Sequence, residues 1–254
     1  MPRRRFYAPP TAFSADRQTV ELAKEEVRHL RDVLRLEPGA EVYVFDGEGR
    51  EFKCSIEEYE RDFAGLRVMA EASPAAPESQ LELTLAVALL KGEKFDLVVQ
   101  KATELGVSRI LPVITHRADV RLRDDPDAAK RVARWHRIAL EAAKQSGRAR
   151  VPEIAAPISF TELIGSPTPP TNAHLLMFAE RAGKPLAETI KELSTVPSPF
   201  IVLVGSEGGW TDEEIVQARA AGGRIVTLGG RILRAETAAI AVVVLLQHLL
   251  GDLN

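Results

Sequence analysis

Phe200-Ile201-Val202-Leu203-Val204 runs directly into Gly205-Ser206-Glu207-Gly208-Gly209. Five consecutive apolar residues read as a strand buried on both faces, the habit of parallel sheets. A second short strand, Ile225 to Thr227, leads into Leu228-Gly229-Gly230-Arg231-Ile232-Leu233-Arg234-Ala235-Glu236-Thr237. Glycine lets bare backbone approach a ligand, so two glycine-rich turns at the ends of neighbouring strands predict a small-molecule site.

The first turn contains a carboxylate, Glu207, where a dinucleotide fold presents only backbone N–H groups to a pyrophosphate. A ligand bearing positive charge or hydroxyls suits it better, and S-adenosylmethionine has both. Thr211-Asp212-Glu213-Glu214 follows with the capping-box pattern, so a helix starts there. In the second turn Arg231, Arg234 and Glu236 stand before a helix, Thr237 to Leu250, that is apolar around almost its whole circumference. Charges at such a place carry a desolvation cost unless substrate or each other meet them. A pairing of Arg234 with Glu236 or Glu207 is the plainer reading; a ligand site explains both turns together. The apolar circumference also predicts a second subunit, hence a homodimer.

Towards the N-terminus, strands are expected at Ile110 to Ile114 and Leu175 to Phe178, and the stripe Leu81, Leu83, Leu85, Val87, Leu89 marks another. Phe95, Val98, Ala102 and Leu105 recur at helical spacing until Gly106, and helical patterns cover Asp127 to Ser146, Leu186 to Leu193 and Asp212 to Ala221. This alternation predicts an α/β fold with a mainly parallel sheet covered on both faces. Ligands of such sheets bind outside the carboxyl ends of the strands. The connector Ala72-Ser73-Pro74-Ala75-Ala76-Pro77-Glu78-Ser79 predicts a domain at 1–72, a linker at 73–80 and a domain at 81–254. The first domain reads as a helix, Lys24 to Arg35, and two strands, Glu41 to Phe45 and Arg50 to Ile56, joined by Asp46-Gly47-Glu48-Gly49 in hairpin fashion.

With 254 residues, 45% hydrophobic and 27% charged, the chain is long enough to bury two cores. A net charge of only −3 leaves any affinity for nucleic acid to local clusters. One cysteine, Cys54, allows no internal disulfide, and no apolar run of signal-peptide length follows the basic start, so a cytoplasmic protein is expected. Ala238 to Leu246 falls short of the roughly 20 residues that span a bilayer, so no membrane partner is expected. The five histidines form no His-x-x-x-His pair, and no metal is expected.

Together the two turns resemble the paired motifs of the ribosomal RNA small subunit methyltransferase E family, in the SPOUT class. Arg4-Arg5-Phe6-Tyr7, His29-Leu30-Arg31-Asp32-Val33-Leu34-Arg35, Gln100-Lys101-Ala102-Thr103-Glu104-Leu105-Gly106-Val107 and Gln145-Ser146-Gly147-Arg148-Ala149-Arg150-Val151-Pro152 are similar to family segments in the same order. They span most of the chain. The resemblance implies a PUA-like β-barrel for RNA, then a SPOUT-type sheet whose last segment threads a loop to form a trefoil knot. Periodicity does not predict the knot, because threaded chains are rare. The resemblance also implies a homodimer that transfers methyl from S-adenosylmethionine to N3 of a uridine in 16S ribosomal RNA, whether free or within the small ribosomal subunit.

Carried onto this sequence, the motifs place Gly205, Glu207 and Gly208 on one side of the cofactor and Leu228, Gly229, Ile232, Leu233 and Thr237 on the other. Met177 either closes the adenine pocket or is a core methionine. The chain departs from the family at Ser206 and Gly230, where proline is common, and at Ala235, where threonine is. Methylation of uridine N3 needs an aligned attack and loss of the N3 proton. The charge that develops on the uracil carbonyls is stabilised by a fixed guanidinium, for which Arg234 is the candidate. Arginine stays protonated, so Glu207, Glu236, a water or hydroxide takes the proton.

RNA contacts are expected from Arg4 and Arg5 with Phe6, a mixture that pairs phosphates and stacks on bases. Further candidates are Arg28, Arg31 and Arg35 on one side of a helix, Arg117 with Arg121 and Arg123 in a polar loop, and Lys130, Arg134, Arg137, Lys144 and Arg148 along a helical face. A solvated face is the plainer reading of any single stripe. The principal rival is a non-catalytic ribosome-assembly protein that kept the fold. A dinucleotide oxidoreductase is weaker, because Gly-x-Gly-x-x-Gly is missing.

Overall fold

The computed structural model describes residues 3–120, 125–165, 173–193 and 199–253. Contacts within the chain define two compact units, Met1–Glu78 with Leu140–Val151, and Ser79–Ala139 with Pro152–Asn254.

The first unit contains strands β1 (Arg5–Tyr7), β2 (Thr19–Leu22), β3 (Glu41–Phe45), β4 (Glu51–Tyr59) and β5 (Ala64–Ala72) in the order β1-β3-β4-β5-β2. β1 and β3 pair in parallel, while β3 with β4, β4 with β5 and β2 with β5 pair antiparallel. The sheet buries Phe6, Val42, Val44, Phe52, Ile56 and Leu66 together with Val27 and Leu30. Helix α1 (Lys24–Arg28) does not continue as an α-helix to Arg35. It widens into a π-helical turn at His29–Val33, and Arg35 leaves it in the left-handed region at φ 51°. That change of pitch takes Arg35 off the helical row of Arg28 and Arg31.

A buried carboxylate organises the same unit. Glu51, fully buried, accepts from Arg3 Nη1 at 3.0 Å, from Arg5 Nε and Nη2 at 3.1 and 2.9 Å, and from the Ala75 amide at 3.2 Å. The other donors of Arg5 reach the carbonyls of Ala143, Lys144 and Arg148. A guanidinium there satisfies carbonyls that a helix end leaves without partners.

The second unit contains β6 (Leu83–Ala88), β7 (Arg109–Ile114), β8 (Glu153–Ile154), β9 (Ile158–Ser159), β10 (His174–Phe178), β11 (Lys184–Pro185), β12 (Phe200–Val204) and β13 (Arg224–Thr227). They form a parallel sheet in the order β11-β13-β10-β12-β6-β7-β8, with β9 on β7. Helices α2 (Lys94–Glu104), α3 (Asp125–Ser146), α4 (Phe160–Gly165), α5 (Leu186–Glu192), α6 (Asp212–Ala220) and α7 (Ala235–Leu250) connect the strands or close the chain. Residues of α3 from Leu140 onward belong to the first unit. On one sheet face Ala86, Leu111, Val113, Met177, Ile201, Leu203 and Ile225 pack against Phe160, Leu163, Ile215 and Ala218 of α4 and α6. Helix α7 packs on α2, β6 and β12. Burial on both faces is why β12 carries no polar residue.

One sequence expectation changes here. Strands β12 and β13 are not neighbours, because β10 lies between them and pairs with both. Three carboxyl ends therefore meet where two were expected.

Candidate active site

Beyond those three strand ends lies a cavity of about 190 Å³. Phe178, the last residue of β10, lines it with Ala179, Glu180 and Arg181; Val204, the last of β12, with Gly205, Ser206, Gly208, Gly209 and Trp210; and Leu228, Gly229, Arg231 and Leu233 follow β13. Ile215 of α6, Ala235 and Ala238 of α7, and Arg117 complete the wall.

Local chemistry explains the shape. Trp210 donates its indole N–H to the Phe178 carbonyl at 2.8 Å and packs on Phe160, joining the ends of β10 and β12. Its ring lies so near Gly205 that a Cβ there would stand 3.2 Å from it. At Gly208 a Cβ would come within 2.9 Å of Arg117 Cβ and 3.1 Å of its carbonyl oxygen. Arg117 in turn donates to the Gly208 carbonyl at 3.1 Å, and the Ser206 hydroxyl donates to the Arg117 carbonyl at 3.2 Å. Ser206, one of the departures from the family pattern, thus ties its turn to the segment after β7. The capping box forms as expected: Glu214 N–H donates to Thr211 Oγ1 at 3.1 Å, and Thr211 N–H donates to Glu214 Oε2 at 2.8 Å. The second oxygen of Glu214 also accepts from the His116 amide at 3.0 Å.

Of the expected cofactor residues, Gly205, Gly208, Leu228, Gly229 and Leu233 share this wall. Met177 does not: it is fully buried in the core, and its neighbour Phe178 lines the cavity instead. Ile232 is 76% exposed and lies outside the wall, as does exposed Thr237. Glu207 also lies outside it, part-exposed and bonded to Lys94 Nζ at 2.6 Å. Burial opposes ionisation of Glu207, but the Lys94 hydrogen bond and a backbone hydrogen bond outweigh it and hold the carboxyl below its usual range. Arg234 is exposed at the N-cap of α7, one residue before Ala235 of the wall.

The carboxylate inside the wall is Glu180, which sequence reasoning missed. Extending the carboxyl-end rule to the expected strand Leu175 to Phe178 would have found it with Ala179 and Arg181. Arg231 also lines the cavity. Gly229, at φ 93°, has nothing within 4 Å of where a Cβ would stand, so its backbone borders open space.

The expected RNA contacts divide sharply. Phe6 is fully buried in the first core and has no face free for a base. Arg5 is engaged with Glu51, and Arg148, 4% exposed, is paired with Glu78 at 2.7 Å. These three expectations are corrected, because buried, partnered groups present no donor or ring to a phosphate or base. Lys144 pairs with Glu26 at 2.7 Å and Arg134 with Asp96, which breaks up the long stripe on α3. Arg4 and Arg35 remain exposed, Arg31 is partly exposed beside Asp32, and Arg117 is exposed at the cavity. Arg121 and Arg123 lie outside the described residues. Among the described residues no cluster of three His, Cys, Asp or Glu suits a metal, and no helix is long and apolar enough to cross a membrane.

A parallel α/β sheet with glycine turns and a cavity at its carboxyl ends defines an α/β protein with a small-molecule site. The sequence profile described as "RNA methyltransferase domain" matches residues 77–247, and that described as "RNA methyltransferase PUA domain" matches residues 22–68. The chain is 34% identical over 232 residues to ribosomal RNA small subunit methyltransferase E of Synechocystis, covering 91% of this chain and 74% of that one. It is 31% identical to the Bacillus subtilis protein of the same name, covering 87% of each. The crystal structure of ribosomal RNA small subunit methyltransferase E from Neisseria gonorrhoeae bound to S-adenosyl methionine superposes with a TM-score of 0.86. It is 36% identical and covers 99% of this chain and 100% of that one. The chain belongs to the ribosomal RNA small subunit methyltransferase E family.

Proposed function

We propose that this protein methylates N3 of a uridine in 16S ribosomal RNA of the small subunit, using S-adenosylmethionine. The observation that carries the reading is the cavity where three strand ends meet, formed by the family's two motifs. The wall suits the cofactor: glycine backbone at Gly205 and Gly229 reads an adenine edge, Leu228 and Leu233 cover apolar faces, and Glu180 meets hydroxyls or positive charge. When bound, S-adenosylmethionine supplies an electrophilic methyl group. Arg234 stabilises charge on the uracil carbonyls, and Arg231, inside the wall, adds positive potential. Glu207 is a poor proton acceptor, because Lys94 already holds its ionised form.

Exposed Arg4, Arg35 and Arg117 offer cations for RNA phosphates. A homodimer accords with Val244, Leu245, Leu249 and Leu250 of α7, which stay at least one-third exposed. A trefoil knot accords with the return of the chain from β13, beyond β10, to α7 on β6 and β12. A domain boundary at 73–80 accords with the profile matches, which end at 68 and resume at 77. A cytoplasmic location accords with the ribosomal substrate.

The test is transfer of labelled methyl from S-adenosylmethionine into small subunits lacking the modification, with the product base mapped by mass spectrometry. Label at uridine N3 that depends on Arg234 supports the reading. Absence of transfer by the wild type would sink it, and equal rates with Arg234→Ala would remove Arg234 from the chemistry.

A further inference from the structure

Lys94 stands on the first turn of α2, far in sequence from either glycine turn, yet it faces a carboxylate from each. Its Nζ donates to Glu207 of the first turn at 2.6 Å and lies 4.0 Å from Oε2 of Glu236, just after the second. That Glu236 oxygen is buried and has no hydrogen-bond partner. Its side chain is 12% exposed, against 37% for Lys94 and 34% for Glu207. A buried acceptor without a donor is costly, and the nearest cation is held just beyond hydrogen-bond reach by a competing carboxylate. The Glu207 hydrogen bond is the largest influence raising the Lys94 ammonium above its ordinary pKa, with Glu236 adding to it and Arg234 opposing.

We propose that Lys94 is a positioning residue with two stations, paired with Glu207 in the free protein and with Glu236 once the cofactor engages Glu207. The inference rests on the proposed function and adds to it that the ammonium or sulfonium of the cofactor reaches Glu207, which stands between Ser206 and Gly208 of the cavity wall. Two cations compete for one carboxylate, and the displaced ammonium finds an unpartnered oxygen within a short side-chain movement. Its arrival ties α2 to the start of α7, the helix that follows Arg234 and supplies Ala235 and Ala238 to the cavity wall. Cofactor binding is thereby coupled to the base of the catalytic segment.

The test is a double-mutant cycle on S-adenosylmethionine affinity by calorimetry, with Lys94→Met, Glu236→Gln and the double variant. Glu236→Gln is expected to weaken binding about twofold to fivefold when Lys94 is present, the range a part-exposed ion pair supplies, and to change nothing when Lys94 is absent. Lys94→Arg should restore the coupling, which a role in folding alone would not show. If Lys94→Met fails to fold, Lys94→Gln takes its place in the cycle. An equal effect of Glu236→Gln in both backgrounds, or none in either, overturns the two-station proposal while leaving the functional reading intact. Wild type that gives no binding overturns both.

Discussion

The arginines of the first unit and those around the cavity of the second read alike in sequence and differ in what they do. Arg5 and Arg148 are buried against Glu51 and Glu78, carboxylates 46 and 70 positions away. Arg117 and Arg231 are exposed at a cavity wall. A guanidinium in a sequence reports a need for fixed planar donors; which acceptor meets them is decided by residues that folding brings from a distance. Arg5 and Arg148 satisfy buried oxygens within the first unit, whereas Arg117 and Arg231 keep an exposed face at the cavity.

The largest effect that would break this comparison is on stability. Removing one partner of a buried ion pair leaves an uncompensated charge, so Arg5→Ala should cost about 3–5 kcal/mol. Arg117→Ala, at an exposed site, should stay within about 0.5 kcal/mol. Urea unfolding of both variants checks the contrast. Unfolding of Arg5→Ala at the wild-type midpoint would place Arg5 among the solvated arginines after all.

Next in size is an effect on rate. Losing one preorganised donor to developing charge costs on the order of 100-fold in kcat, so Arg234→Ala should lower methyl transfer by that much with an unchanged melting temperature. A fall in stability instead of rate would make Arg234 resemble Arg5.

The two units also differ in how legible they were. Strands β6, β7, β10, β12 and β13 showed in sequence because a sheet buried on both faces demands apolar runs, and Thr211 with Glu214 announced the helix start. The first unit hid more: β1, β2 and β5 have mixed polarity, since residues such as Thr19 and Glu21 face solvent. The π-turn at His29–Val33 has no signature in apolar spacing. Within the site, glycines mark both turns and Met177 takes the second of its two readings, a core methionine, while no motif marks Glu180. The insertion of β10 between β12 and β13 is a crossover, and local periodicity carries no information about strand order. Lys94 was invisible for the same cause, being brought to Glu207 from 113 positions away. Nor does anything local mark Leu140–Val151 as part of the first unit.

A smaller effect sharpens the contrast between glycines. At Gly208 an added methyl meets the backbone and Cβ of Arg117, so Gly208→Ala must shift that segment and should weaken S-adenosylmethionine binding about tenfold, the order of 1.4 kcal/mol. Gly230 has open space and no positive φ, so Gly230→Ala should be neutral or stabilising by a few tenths of a kcal/mol. Calorimetry and thermal melts on the pair check this. Equal loss of affinity in both would mean that the second turn closes on the ligand.

The smallest expected effect is in acid. The Glu207 carboxyl is held below its usual range by Lys94 and a backbone hydrogen bond, against the opposing pull of burial. A carboxyl whose folded pKa is depressed contributes stability that is fully present above the unfolded value, about 4.3, and is lost as pH falls through the folded value. Because Glu207 is 34% exposed, solvent screening limits this to a few tenths of a kcal/mol. Glu207→Gln should therefore flatten the decline of stability below about pH 4 by that amount and leave the slope between pH 6 and 8 unchanged. Lys94→Met should do the same, since it removes the cation that favours the ionised form. If Lys94→Met flattens the acid limb and Glu207→Gln does not, the ammonium already rests on Glu236 in the free protein, and the carboxylate of the first turn is open to the cofactor from the start.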